Sequence, residues 1–455
     1  MQKFMDGKLL NYLMIKKIFY FLTNLSLNKK KILKPKVFRK KDHGINKNYL
    51  SQNAIEVIKT LQNYGFKSFV VGGAVRDILL DLKPKDFDIG TNAKPEEIKN
   101  LFKRAFIIGR RFKLVHVMFG HEKIEVTTFR GNSNKNSVKD EHGRVLRDNE
   151  FGENHEDAER RDFTINAMYY DPTKEIILDY HNGLQDISNK VLRIIGNPEA
   201  RYREDPVRIL RAFRFAAKLN LKISHKTKAP IRILAPLINN VPVARVFDEL
   251  IKIITSGDSL DCIKKIKREG IDGKILPMLD IILDQPLNDK FTILFFNKTD
   301  SRVKSGKSIS PSFLFAALLW KKVLKRVEIN KNTKEHSISI LNQAIRIVLN
   351  EQSEKLHLHR KIISDVKEIW FMQLRFERKS KKSPFKILQH SKLRTSYNFL
   401  LLRCESGEID NKVGEWWKSF IESDDSGRKE LLSKKNKSLS QRNLSKKFKN
   451  KNLNN

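Results

Sequence analysis

The chain has 455 residues, of which 90 are Lys or Arg and 52 are Asp or Glu, a formal charge of +38. That length holds two or three domains with sizeable cores, and the charge calls for an anionic partner, nucleic acid first, with a solvated surface in a lysine-rich proteome as the plain alternative. Two distant cysteines, Cys262 and Cys404, leave a disulfide framework and a zinc site unsupported and point to a reducing, cytoplasmic setting; no apolar run is long enough to span a bilayer. LLNYLMIKKIFYFL (residues 9–22) comes nearest, but Lys16 and Lys17 interrupt it and no small-residue cleavage site follows. It reads as a short amphipathic helix touching a membrane or partner, or as an upstream extension with the start at Met5 or Met14, and receives no role.

Residues 1–50, with clusters such as NKKKILKPK, read as a poorly ordered basic extension. Ser51 then N-caps a helix whose Ile55, Ile58 and Leu61 share a face and which Gly65 ends. Phe69-Val70-Val71, Gly72-Gly73 and AVRDILLDL give strand, tight turn and helix. KDFDIG (85–90) reads as a strand and PEEIKNLF as a helix begun by Pro95. KLVHVMFG and KIEVTTF alternate as two strands joined by a short turn. Residues 131–155 are polar, a loop. From EDAERRDFTINAMYY onward helices dominate, IILDY excepted, and the closing lysine-rich segment reads as a disordered basic tail. The expected architecture is a small mixed α/β head followed by a mainly helical body.

The motifs concentrate in the head. Asp86 and Asp88, two apart on a strand, project from one face. Two close carboxylates repel unless protonated or bridged by cations, and Mg²⁺ suits them because it takes oxygen ligands and leaves room for phosphates. Solvated turn residues would satisfy the same spacing. A calcium loop with Glu97 as its twelfth ligand fails at Thr91, where that loop needs glycine. In GGAVRD, Gly72 and Gly73 let backbone approach a phosphate at a helix N-terminus, and Arg76 can reach the same anion; by themselves the glycines fit an ordinary tight turn equally well. Glu125 alternates with Ile124 and Val126 and stands on the exposed face of a neighbouring strand. There it is either a third metal-site carboxylate or a solvated charge. In ERRDFTINAMYY, Arg160, Arg161 and Asp162 head a helix with Phe163, Ala167 and Tyr170 inward; Asp162 can join the site, Arg161 can meet a triphosphate, and Asn166 can bond a ribose hydroxyl. A surface ion-pair cluster is the alternative. In YREDPVRILRAFRFAAKL, Arg208, Arg211 and Arg214 form a basic stripe opposite Leu210, Phe213 and Ala217. Glu204, Asp205 and Arg208 offer acceptors and a donor fork able to read a nucleobase edge, or a solvated face.

Together, GGAVRD with KDFDIG, RRDFTINAMYY and REDPVRILRAFRFAAKL resemble the class II nucleotidyltransferases, which comprise the bacterial tRNA CCA-adding enzymes and the bacterial poly(A) polymerases. The resemblance is dense over residues 65–220 and fainter beyond. GRRFKLVHVMFG (109–120), FLFAALLW and EIWFMQLRF are similar to the poly(A) polymerase branch. It implies a nucleotidyltransferase head (51–195), a neck that recognises the incoming base (196–285), a helical RNA-holding body (286–430) and a basic tail (431–455). Carried over by motif, Asp86 and Asp88 are metal ligands and catalytic residues, with Glu125 a further ligand candidate. Asp162 is an active-site residue and Arg161 a triphosphate contact, to which the reading of the residues adds Gly72, Gly73, Arg76 and Asn166 as nucleotide contacts. Glu204, Asp205 and Arg208 fall at the base-reading pocket, with Arg211 of the same stripe a further nucleotide-binding candidate.

The activity this implies is template-independent addition of AMP from ATP to RNA 3′ ends (polyadenylation, serving mRNA processing and decay) with two Mg²⁺ ions, Mn²⁺ being the alternative. The implied partner is RNA, the 3′ ends of mRNA and other transcripts, with no membrane required; RNA-decay proteins are a further partner class left open. CCA addition to tRNA is the nearer rival and a non-catalytic RNA-binding protein on a transferase fold the remoter one. His116 is set aside as a general base because it lies among apolar strand residues.

Overall fold

The computed structural model describes residues 33–109, 113–131, 151–329, 337–377 and 383–433, and the chain divides into two units, Met1–Asn197 and Pro198–Asn455. The expectations for residues 9–22, for Arg110 to Phe112, for residues 132–150 of the polar segment and for the tail from residue 434 lie outside the described residues.

The first unit is built on an eight-stranded mixed sheet in the order β1-β8-β7-β2-β3-β6-β5-β4. The strands are β1 (Lys36–Arg39), β2 (Ser68–Val71), β3 (Asp88–Thr91), β4 (Ala105–Ile108), β5 (Leu114–Phe119), β6 (Glu122–Thr128), β7 (Met168–Asp171) and β8 (Ile176–Asp179). All neighbours are antiparallel except β3 and β6. Helix α1 (Gln52–Asn63) begins where the Ser51 side chain accepts the Ala54 N–H at 3.3 Å. It buries Ala54, Val57, Ile58 and Leu61, so the apolar stripe is turned slightly from the expected one and Ile55 is only half-buried. Helix α2 (Gly73–Leu79) follows β2, α3 (Pro95–Leu101) follows β3, and α4 (Asn154–Arg160) precedes β7. Both α1 and α3 pack against the sheet. A second set of apolar side chains, Phe69, Val71, Phe129, Tyr169 and Tyr180, forms a cluster in which Tyr169 meets Phe69 and Tyr180 edge to face, the arrangement ring quadrupoles prefer.

Two local expectations are corrected. The basic stretch before residue 50 does not lie wholly outside the fold: Lys36–Arg39 pairs with Ile176–Asp179 as the outermost strand. The RRD motif does not head a helix. It ends α4, passes through the 3₁₀ turn Thr164–Asn166 and enters β7, so MYYD is strand.

The second unit is mostly helical. Its principal helices are α5 (Pro198–Glu204), α6 (Val207–Lys218), α7 (Val243–Ile254), α8 (Ser259–Arg268), α9 (Lys290–Lys304), α10 (Pro311–Ile329), α11 (Ser337–Leu356), α12 (Arg360–Glu377), α13 (Leu393–Glu405) and α14 (Asn411–Glu422). Helix α10 is buried without interruption from Leu314 to Trp320, as an all-round apolar helix must be. The buried tryptophans satisfy their N–H groups: Trp370 donates to the Ala316 carbonyl at 3.1 Å and Trp417 to the Phe376 carbonyl at 2.9 Å. Both cysteines are buried and unbridged. Among the described residues no helix is long and apolar enough to cross a membrane.

Candidate active site

Sheet register assembles the site. Tyr169, Val71, Asp88, Glu125, His116 and Phe106 are successive partners across β7, β2, β3, β6, β5 and β4. Alternation buries Ile89 on β3 and Ile124 and Val126 on β6, which turns Asp88 and Glu125 to the opposite face on adjacent parallel strands. The β3 strand itself begins at Asp88, so Asp86 stands in the irregular segment just before it and is exposed. Glu125 also lies 3.5 Å from His116 Nε2 and 3.9 Å from Lys123 Nζ.

The electrostatic result falls on Asp88. Burial pushes its carboxyl up to about 6; Glu125 and Asp86 push in the same direction, while Arg161 and Lys123 oppose them. Three acidic side chains therefore crowd a place where ionisation is already penalised. Such a donor set fits a hard divalent cation, which prefers carboxylate oxygen. Among the described residues, however, no three His, Cys, Asp or Glu side chains converge into a ready-made metal cluster.

Gly72 closes the other side. Its backbone, at φ +71° and ψ −130°, is left-handed, a conformation glycine adopts freely. A Cβ there would stand 3.3 Å from Arg161 Nη1 and 3.9 Å from Asp88 Oδ2. Gly72, Asp88 and Arg161 thus meet. Arg161 is fixed by neighbours: Nε donates to Asp157 Oδ2 at 3.1 Å and to the Tyr169 hydroxyl at 3.2 Å, and Nη1 donates to the Asn166 carbonyl at 3.2 Å. The Tyr169 hydroxyl in turn donates to Asp157 at 2.6 Å.

A second, buried set adjoins it. Arg76 donates to Asp77 through Nε at 2.8 Å and to Asn166 Oδ1 through Nη1 at 2.7 Å. The Asn166 amide donates to Asp162 Oδ1 at 3.1 Å, which also accepts the Phe163 N–H at 2.7 Å. Arg76, Asn166 and Asp162 are each nine-tenths or more buried. They form a polar chain beneath Gly73, whose Cβ would sit 3.4 Å from Arg76 Nη2. In this arrangement they brace the turn, where the sequence placed Arg76 and Asn166 against the nucleotide.

Glu204, Asp205, Arg208 and Arg211 belong to the second unit, at the α5–α6 junction. Glu204 Oε2 accepts from Arg201 Nη1 at 2.6 Å and from Arg208 Nη1 at 2.9 Å, and Asp205 Oδ2 from Arg245 Nη2 at 2.8 Å. Burial raises the Glu204 pKa, but Arg208 and Arg201 more than offset it and hold the carboxylate below its ordinary range. Arg208 is buried, whereas Arg211 is half-buried with its guanidinium 5.9 Å from the Phe215 ring centroid. Sequence reasoning missed Asp157, Tyr169, Arg201 and Arg245. The i, i+4 spacing of Asp157 and Arg161 was a visible signal; the partners supplied by Tyr169 and Arg245 depend on tertiary packing.

Comparison with known proteins follows the same division. Residues 68–193 match the family model described as the poly A polymerase head domain, residues 220–283 that of the probable RNA and SrmB-binding site of polymerase A, and residues 333–452 that of the polymerase A arginine-rich C-terminus. The Bacillus stearothermophilus CCA-adding enzyme in complex with CTP has a similar fold, with a TM-score of 0.55 at 22% identity over 84% of this chain and 82% of that one. The class is therefore nucleotidyltransferase, an enzyme that takes a nucleotide as substrate. Poly(A) polymerase I of Salmonella typhi is 37% identical over 87% of this chain and 88% of its own length, and that of Haemophilus influenzae is 38% identical over 84% and 87%. By contrast, the CCA-adding enzyme of Enterococcus faecalis is 41% identical over only 45% of this chain. The chain belongs to the poly(A) polymerase family and is a polynucleotide adenylyltransferase.

Proposed function

We propose that the enzyme extends the 3′ ends of mRNA and other transcripts with AMP from ATP, without a template and in the cytoplasm, using Asp86 and Asp88 to hold divalent cations. Asp88 carries the reading: a carboxyl pushed up to about 6 by burial and by acidic neighbours, facing a fixed arginine across a glycine. Mg²⁺ is the ion that best suits these oxygens, with Glu125 as an additional neighbour. When bound, such ions lower the pKa of an attacking hydroxyl and stabilise a departing pyrophosphate.

The chain's own groups do the rest. Gly72 leaves room for phosphate oxygens beside Asp88. Arg161, held by Asp157, Tyr169 and the Asn166 carbonyl, presents a preorganised positive charge to the triphosphate. Arg76, Asn166 and Asp162 keep the Gly72-Gly73 turn in shape. In the reaction the RNA 3′ oxygen bonds to the α-phosphorus, the bond from that phosphorus to the bridging oxygen breaks, and pyrophosphate leaves. In the second unit, Glu204, Asp205 and Arg208 select the incoming base, with Arg201 and Arg245 fixing the two acids. Arg211 lies on the same helix.

The test is to incubate the full-length enzyme with unstructured RNA and each nucleoside triphosphate separately. Long tails with ATP alone are expected. CTP incorporation that halts after a couple of residues would instead make it a CCA-adding enzyme. No incorporation by the wild type, or full activity in Asp86→Ala, would overturn the catalytic reading.

A further inference from the structure

We propose that a cavity in the second unit holds one nucleotide of single-stranded RNA, base inward and phosphate at the rim; the proposal rests on the reading of RNA as the substrate. The cavity has a volume of about 430 Å³ and lies between α9, residues 308–313 and α13, within the roughly 300–1,000 Å³ range of small-ligand sites. Phe295, Phe313 and Leu401 give it an apolar lining, and Lys298, Arg302 and Arg394 give it cationic groups. Phe295 is buried and supports Phe313, their ring centroids 6.4 Å apart. Phe313 is only partly buried, so ring surface remains available for a base to stack on.

The cations are not equivalent. Lys298 is ion-paired with Glu405 at 2.7 Å, so its charge is locally balanced. Arg302 donates its Nε to the Ser308 carbonyl at 2.8 Å, which ties the 308–313 segment to α9 and fixes the guanidinium in place. Arg394 is exposed and makes no ion pair among the described residues. The surplus at the cavity is therefore the charge of two arginines. A second depression, of about 370 Å³, shares Lys298 and Arg302 with the first and adds Lys307 without any aromatic lining. One compartment is thus aromatic and the next is polar and basic.

A single-stranded nucleotide is divided the same way, into a flat base that stacks on an aromatic face and an anionic phosphodiester that meets cations. Because every base has a π-face, the subsite is tolerant of sequence. Duplex RNA cannot place a paired, stacked base in the cavity. An acidic peptide would satisfy the rim but not the aromatic lining.

The experiment uses the full-length enzyme with Arg394→Glu and Phe313→Leu. Thermal unfolding checks their fold, and fluorescence anisotropy measures binding of a long oligoadenylate over a range of salt. Arg394→Glu is expected to weaken binding by about tenfold and to lower the slope of log affinity against log salt by about 1. Phe313→Leu is expected to weaken binding by about tenfold with the salt slope unchanged. Both should keep wild-type kcat for adding AMP to a short primer. Should Phe313→Leu unfold, Arg394→Glu still decides. Unchanged affinity in Arg394→Glu, equal losses for duplex and single-stranded RNA, or displacement of the oligoadenylate by an acidic peptide as readily as by RNA would each overturn the subsite. A wild type that neither binds RNA nor extends it with ATP would instead overturn the functional reading beneath it.

Discussion

Asp88 in the first unit is half-buried and Asp280 in the second is buried, yet their surroundings are opposite. Asp280 accepts from Lys322 at 3.1 Å and from Lys355, so two ammonium groups offset the loss of hydration. Asp88 has burial, Glu125 and Asp86 against it, relieved only in part by Arg161 and Lys123. The first environment stabilises a fold; the second stores a penalty that a bound cation can remove. A half-buried acid whose neighbours are acids is the better pointer to chemistry, even in a chain whose overall charge is strongly positive.

The contrast can be broken most directly by exchanging each acid for a neutral residue. Asp88→Asn should lower AMP incorporation by at least about a thousandfold, measured by primer extension, while leaving the metal-free protein at least as stable as wild type in urea at neutral pH. A destabilised Asp88→Asn would place Asp88 with Asp280. Asp280→Ala should do the reverse, costing about 2–3 kcal/mol in urea unfolding because two lysines lose their partner, with kcat retained under native conditions.

A pH series sharpens the same point. With Asp88 raised to about 6, the folded metal-free protein keeps a proton that the unfolded chain has already released. Its stability should therefore fall as pH rises from about 4 to about 6, by about 2 kcal/mol attributable to this group. Asp88→Asn should remove that component from the difference between wild-type and variant unfolding curves. The smallest effect on stability is expected at Gly72→Ala, about 1–2 kcal/mol, since the new Cβ meets a guanidinium and the backbone sits at positive φ. Primer extension should fall with it, because Arg161 must shift. A silent Gly72→Ala would separate the glycine from the phosphate path.

Much of the head was legible because its signals are local. The Asp-x-Asp spacing, the paired glycines and the alternation around Glu125 are short-range patterns; the strand, turn and helix around Gly72-Gly73 and the exposed strand position of Glu125 follow them, whereas KDFDIG is strand only from Asp88 and leaves Asp86 just before it. What sequence could not show is the parallel pairing of β3 with β6, which sets Asp88 beside Glu125, 37 positions further along the chain. MYYD was read as helix because INAMYY also satisfies a helical period; the decision is made by pairing with β2 and β8. Arg76 and Asn166 read as nucleotide contacts from their residue types; that both are buried and hydrogen-bonded to each other depends on packing and could not be read from spacing. The cavity beside α13 joins residues 295–313 to residues 394–402, far along the chain, and has no linear signature.

Strand β1 has a practical consequence. Its Lys36 and Arg39 border β8 at the sheet margin, where charged residues discourage another chain from pairing. A truncated enzyme beginning at Ser51 would strip this guard and leave the backbone donors and acceptors on the β1-facing edge of β8 open to intermolecular pairing. Such a shortened protein should self-associate with the acid cluster intact, so trimming the basic leader to improve solubility would have the opposite effect.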